Sequence, residues 1–183
     1  MNTNRLSLNM QKILIRQMTR ESEASQIYLS YGIWADDEGY GGVANFLYRH
    51  AQEERNHMIK FMQYILERGG RPIVEAVPAP PADPNSLQDC FNRLLQHEID
   101  NTESIYNIVN TSMKESDWAT WNFAQFFVKE QIEEEKLILE LIDRLKIAGG
   151  NRAKDESLFV FDRALAGMPD EIPLSREATA DHP

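Results

Sequence analysis

Apolar residues recur along this chain in alternating steps of three and four, the spacing that gathers them on one face of an α-helix. The pattern runs through four long segments and one short one, and the period-two alternation of a half-buried strand is nearly absent. The first segment, helix A, spans about Leu8 to Asp36. The second, B, spans about Gly42 to Arg68, with Gly69 and Gly70 as its stop. The third, C, opens at Ser86, where Ser86-Leu87-Gln88-Asp89 has the form of a capping box, and ends near Met113. The fourth, D, follows Asp117, a good N-cap, and ends before Gly149 and Gly150. A short fifth, E, runs from about Glu156 to Ala166 and stops at Gly167. The pattern predicts an all-α fold, a four-helix bundle plus a short fifth helix over residues 1–167. Residues 168–183, polar and proline-containing, read as a flexible tail.

The connections set the topology. A joins B, and C joins D, through a few residues each, so each pair forms an antiparallel hairpin. The segment from Gly69 to Asn85 is long and holds Pro72, Pro78, Pro80, Pro81 and Pro84. At ~3.3 Å per residue it reaches more than ~50 Å, and a helix the length of B extends only ~40 Å. The linker is long enough to cross the bundle and let B and C run parallel. An up-down-up-down bundle needs only a short loop here.

Each apolar stripe is broken near its middle by an acid. Helix A reads Leu14, Met18, Glu21, Ser25, Tyr28, Gly32; helix B reads Val43, Leu47, His50, Glu54, His57, Phe61, Tyr64. Helix C reads Phe91, Leu95, Glu98, Thr102, Ile105, Val109; helix D reads Phe127, Gln131, Glu134, Ile138, Leu141, Leu145. A single seam glutamate is usually a solvated bundle edge or half of an ion pair. Four of them at mid-helix depth would repel one another in a medium that already penalises each charge. Few basic residues share the seams, and neutral His50 and His57 add no charge. A pair of cations resolves the conflict. Carboxylates with one imidazole suit iron or manganese rather than a thiolate-loving metal. Glu54-x-x-His57 sets both ligand types one turn apart on one helical face. The matching place on helix D is Gln131-x-x-Glu134, so the two metal positions are unequal, with one imidazole between them.

Composition narrows the partners. Lys and Arg number 19 against 29 Asp and Glu, a net charge of −10. That disfavours nucleic acid, whose binding is driven by Lys and Arg neutralising phosphates. It suits a protein that attracts cations, and equally one that is merely soluble. The one cysteine, Cys90, allows no disulfide within the chain and no Cys-based metal site, and its apolar helical setting reads as an inert thiol. No signal peptide and no membrane span stands out, which makes the cytoplasm the default compartment.

Glu21 with Tyr28, the run RHAQEERNHM from Arg49 to Met58, the pair His97-Glu98 and the run EQIEEEKL from Glu130 to Leu137 resemble the non-haem bacterial ferritins. The resemblance covers roughly Leu8 to Ala166. It implies the ferritin-like bundle, a ferroxidase activity that turns Fe(II) into Fe(III) with dioxygen or peroxide, and a hollow shell of twenty-four subunits holding ferric mineral. By the same resemblance Glu21, Glu54 and His57 hold the first iron, and Glu54 bridges to a second held also by Glu98 and Glu134. Gln131 neighbours the second iron, and Tyr28 donates a hydrogen bond to the site; as a redox partner or as a buried aromatic, it reads equally well. A third cation position of the family is matched by Glu53, Glu130 and Glu133 with an oxygen of Glu134. The competing reading there is a solvated acidic face, with Arg49 pairing Glu53. Arg55 stands where bacterioferritins carry their haem-ligating Met, so no haem is expected. A single cysteine sets aside rubrerythrins. Two readings outside the family remain: another di-iron or di-manganese carboxylate oxidase without a shell, and a non-enzymatic helical module.

Overall fold

The structure is a computed structural model that describes residues 4–167. Its elements are α1 (Leu8–Asp37), α2 (Gly41–Glu67), α3 (Leu87–Glu115), α4 (Trp118–Ala148), a 3-10 turn (Gly150–Arg152) and α5 (Asp155–Ala166). The boundaries follow local chemistry. Ser7 Oγ accepts from Met10 N–H at 2.9 Å and Ser86 Oγ from Asp89 N–H at 3.1 Å, each satisfying a first-turn donor that the helix leaves open. Asp117 does the same for Thr120 N–H at 3.1 Å. α4 ends on Gly149 at φ +116°, a left-handed conformation that a side chain would strain.

α2 is started differently. Its N-cap residue, Tyr40, makes no side-chain cap bond. Asp162 of α5 supplies one from afar, accepting from Val43 N–H at 2.8 Å. A carboxylate there also suits the positive end of the helix dipole. Gly42 makes the approach possible, since a Cβ at that position would stand 2.0 Å from the Asp162 carbonyl oxygen.

The packing fixes the topology. Near their starts, Phe46 of α2 and Phe91 of α3 lie with ring centroids 6.1 Å apart. Just past their ends, Arg68 pairs with Asp117 at 3.0 Å. α2 and α3 are therefore parallel, as the long linker allows, and the linker runs without helix or strand. Ser7, at the start of α1, donates to Glu115 at the end of α3, so those two helices are antiparallel.

Two apolar cores form, one towards each end. Tyr28, Tyr31, Phe46, Leu47, Phe91, Leu94, Ile138 and Leu141 belong to the first, which Phe161 and Leu165 of α5 extend. Met10, Leu14, Met18, Phe61, Ile65, Ile105, Ile108 and Phe127 belong to the second. Between them lies a belt of buried polar side chains. On α3 the buried face is Phe91, Leu94, Glu98, Asn101, Ile105 and Ile108, and Leu95, Thr102 and Val109 are only half-buried. The expected stripe is thus correct at Phe91, Glu98 and Ile105 and one residue late between them. No helix among the described residues is long and apolar enough to cross a membrane. The tail, 168–183, lies outside the described residues.

Candidate metal centre

The polar belt is assembled from the middle of all four long helices. Glu21 of α1, with Glu54 and His57 of α2, brings one ligand atom from each residue within 4.8 Å of the others. His57 Nδ1 stands 3.5 Å from Glu54 Oε2, and the edges of its ring contact Phe126 and Phe127, which hold its plane. Glu98 of α3 is fully buried; its Oε1 accepts from Tyr28 OH at 2.6 Å and its Oε2 from Gln131 Nε2 at 3.1 Å.

Three buried oxygens in this belt have no hydrogen-bond partner: Glu21 Oε2, Glu54 Oε2 and Glu134 Oε2. Burial, and then repulsion from Glu54, holds the Glu21 carboxyl well above its ordinary range. Burial and the Glu98 charge do the same to Glu54, and burial, Glu98 and Glu53 to Glu134. A buried acceptor without a donor costs about 1–3 kcal/mol. A cation set among these oxygens removes that penalty at each of them, so the residues fit a metal of carboxylate and imidazole preference.

A second grouping brings His50, Glu53 and Glu134 within 4.8 Å. His50 Nδ1 is 3.0 Å from the Phe46 carbonyl oxygen, and because a carbonyl only accepts, Nδ1 carries the hydrogen. Burial lowers the His50 pKa and favours the neutral ring. Its Nε2 then offers a lone pair towards Glu134 Oε2, 3.6 Å away, and two acceptors face each other across a gap that suits a proton or a cation. A third grouping joins Glu53, His57 and Glu130, with His57 Nε2 at 3.8 Å from Glu130 Oε2. His57 therefore presents one nitrogen to each side.

The family model for the ferritin-like domain matches residues 11–148, all of α2, α3 and α4 and most of α1. The chain belongs to the ferritin family. It is 36% identical over 163 residues, 89% of this chain and 97% of the relative, to a probable bacterial non-heme ferritin-like protein of Haemophilus influenzae. It is 36% identical over 155 residues, 85% of this chain and 92% of the relative, to a bacterial non-heme ferritin of Escherichia coli. Among solved structures, an Archaeoglobus fulgidus protein described as a novel open pore ferritin superposes with a TM-score of 0.85 at 33% identity, covering 90% of this chain and 99% of that one.

Within this ferritin fold the sequence-expected residues do not all behave alike. Glu21, Glu54 and His57 come together. Glu98 and Glu134 are buried beside them, but both Glu98 oxygens are taken by donors, and Glu134 groups with His50 and Glu53. Gln131 points its amide N–H2, not its carbonyl, at Glu98. Glu133 departs from expectation. Its side chain is 61% exposed and its carboxylate lies 3.4 Å from Lys129 Nζ. One residue before Glu134 is a rotation of about 100° on a helix, which carries Glu133 out of the seam towards solvent. Sequence reasoning left out His50 as a ligand, although it shares the face of Glu54 and His57. It also missed Gln17 and Asn101, both fully or almost fully buried polar residues in the belt. Gln17 was legible in part, being one turn before Glu21 and between the seam residues Leu14 and Met18.

Proposed function

We propose that this ferritin takes up Fe(II) as substrate between its four helices, oxidises it, and stores the Fe(III) as mineral inside a closed assembly of its own copies. The observation that carries the reading is the set of three orphaned buried carboxylate oxygens, on Glu21, Glu54 and Glu134, in one belt with His57. The first iron is assigned to Glu21, Glu54 and His57, and the second to Glu54, Glu98 and Glu134, so that Glu54 bridges. Each Fe(II) gives one electron, and the pair reduces one dioxygen to the peroxide level, or one peroxide to water. Hard anionic oxygens favour the ferric product. The second position as assigned draws on carboxylates alone, with His50 Nε2 3.6 Å from Glu134 Oε2 beside it, and binds more weakly than the position with His57, which helps iron leave. Tyr28 holds Glu98 through its hydroxyl, and burial followed by the Glu98 charge keeps that hydroxyl protonated as a donor. A third, weaker position is assigned to Glu53 and Glu130 with Glu134, and Glu133 is left out of it because of its exposure. Relatives named non-heme ferritins support a site without haem.

A shell is supported by what the single chain leaves uncovered. Ile33 of α1, Val74 of the linker, Ile147 of α4, and Phe159 and Val160 of α5 are each more than half exposed. Twenty-four copies, in the cytoplasm, is the form the family likeness supports. The test is absorbance after Fe(II) is added in air to material sized by gel filtration. A fast oxidation phase that Glu54→Ala removes is expected. An unchanged fast phase in Glu54→Ala places the chemistry elsewhere.

A further inference from the structure

Three amide side chains form an unbroken hydrogen-bonded line across the bundle, joining the two outer carboxylates of the site. Gln17 Nε2 donates to Glu21 Oε1 at 2.7 Å and to Asn101 Oδ1 at 2.6 Å. Asn101 Nδ2 donates to Gln131 Oε1 at 3.1 Å, and Gln131 Nε2 donates to Glu98 Oε2 at 3.1 Å. Ser104 Oγ closes the line by donating to Gln17 Oε1 at 2.5 Å. Gln17 is 0% exposed and Asn101 2%, so both are shielded from bulk solvent.

The order of donors and acceptors in this line is forced. An ionised carboxylate only accepts, so Gln131 must turn its N–H2 to Glu98 and its carbonyl away. That carbonyl meets Asn101, which must answer with its own N–H2. The Asn101 carbonyl then faces Gln17, whose N–H2 has one hydrogen for Asn101 and one for Glu21. Neither Asn101 nor Gln131 can flip alone, because a flip sets N–H2 against N–H2 on one side and oxygen against oxygen on the other, and a flipped Gln17 sets its oxygen against those of Asn101 and Glu21.

We propose that Asn101 and Gln17 are positioning residues that lock Gln131 as a donor to Glu98 and couple the Glu98 end of the site to the Glu21 end. The proposal rests on the di-iron reading above. Two consequences follow from the geometry. Gln131 does not ligate iron through its carbonyl while Asn101 holds that oxygen. Asn101, which touches neither carboxylate, links both ends: without it the Gln131 carbonyl loses its donor and the Gln17 N–H2 loses one of its two acceptors, so Gln131 is held by Glu98 alone and Gln17 by Ser104 and Glu21 alone. A purely structural asparagine would affect melting and leave the two metal positions alone.

The test is an anaerobic titration with Co(II), a redox-inert probe whose visible absorption reports each binding step, on the assembled protein and on Asn101→Leu and Gln17→Met. Wild type is expected to take two Co(II) per subunit in two tight steps, ahead of the weaker third position. Asn101→Leu is expected to weaken both steps, by about tenfold, the usual effect of removing a partner that orients a ligand. Gln17→Met is expected to weaken the same two steps, and it decides the matter if Asn101→Leu does not fold. Two normal Co(II) steps in wild type with unchanged affinities in the folded variants overturn this proposal and leave the iron reading standing. A loss confined to one step overturns the coupling. No Co(II) in wild type overturns the iron reading and the proposal with it.

Discussion

Glu98 and Glu134 sit on paired helices, both buried, and carry opposite electrostatics. Burial raises the Glu98 pKa, but the facing His97 imidazole and donors from Tyr28 and Gln131 outweigh it, and the carboxyl sits below its ordinary range. Glu134 has no such donors and sits well above it. In the metal-free protein, Glu134→Gln is expected to raise the stability at neutral pH by about 1 kcal/mol, because a neutral group replaces a poorly solvated charge. Glu98→Gln is expected to lower it by about 1–3 kcal/mol, because the new amide sets its own N–H2 against a donor that the carboxylate satisfied. Melting of both variants without metal checks the pair, and shifts of the same sign would contradict the assignment. The pH dependence follows with its sign. Glu21, Glu54 and Glu134 have folded-state values raised above the ordinary 4.5, so the stability they contribute is full below 4.5 and is lost as pH rises through the raised values. Glu98 acts in the other direction, contributing above 4.5 and losing that contribution as pH falls through its lowered value. Glu53 is raised as well and the His50 pKa is lowered, so four raised carboxyls oppose Glu98 and His50, and the belt of the metal-free protein should soften as pH rises from 4.5. A smaller slope of melting temperature against pH in Glu134→Gln is the expected sign. Metal competes with protons for those carboxylates, so metal affinity should fall as pH falls, and calorimetry in buffers of different ionisation enthalpy should count the protons released.

Among the elements, α5 is tied to the bundle by the Asp162 cap on α2. Asp162→Ala should cost about 0.5–2 kcal/mol, the range for a lost N-cap, and should raise hydrogen exchange in α5 and at Val43 before anywhere else. Uniform exchange across the bundle would show that the cap is not what holds α5. This cap also marks the limit of what the sequence discloses. Ser86 and Asp117 were readable as N-caps, and Gly149 as a stop, because each acts within one turn of its own position. The Asp162 cap spans 119 residues of chain, and no local pattern announces it. The phase of α3 was hidden for another reason. Leu94 and Leu95 are both apolar, as are Ile108 and Val109, so steps of three-then-four and four-then-three fit equally well. Choosing the wrong one kept Glu98 in the seam and put Thr102 where Asn101 belongs. The four seam glutamates were legible because an acid in the middle of an apolar stripe is costly and conspicuous. An amide there draws less notice, and so Gln17 and Asn101 went unseen.

For the whole molecule, the polar belt lies between two apolar cores, and the subunit leaves large apolar side chains uncovered. The protein is expected to elute as a very large assembly. Ile33→Glu, a charge placed on an exposed apolar position of α1, should shift it towards smaller species with helix content unchanged. An assembly of unaltered size would remove Ile33 from any contact between copies. Metal that binds only the folded chain should also raise the melting temperature with concentration, by mass action. The central claim is that the bundle takes iron between its helices at paired carboxylate positions, and the most direct measurement is anomalous diffraction at the iron edge from a crystal soaked in Fe(II). Two strong peaks are expected, one among Glu21, Glu54 and His57 and one among Glu54, Glu98 and Glu134, with a weaker third beside Glu53 and Glu130. A well-soaked crystal with no iron between the helices would contradict the account.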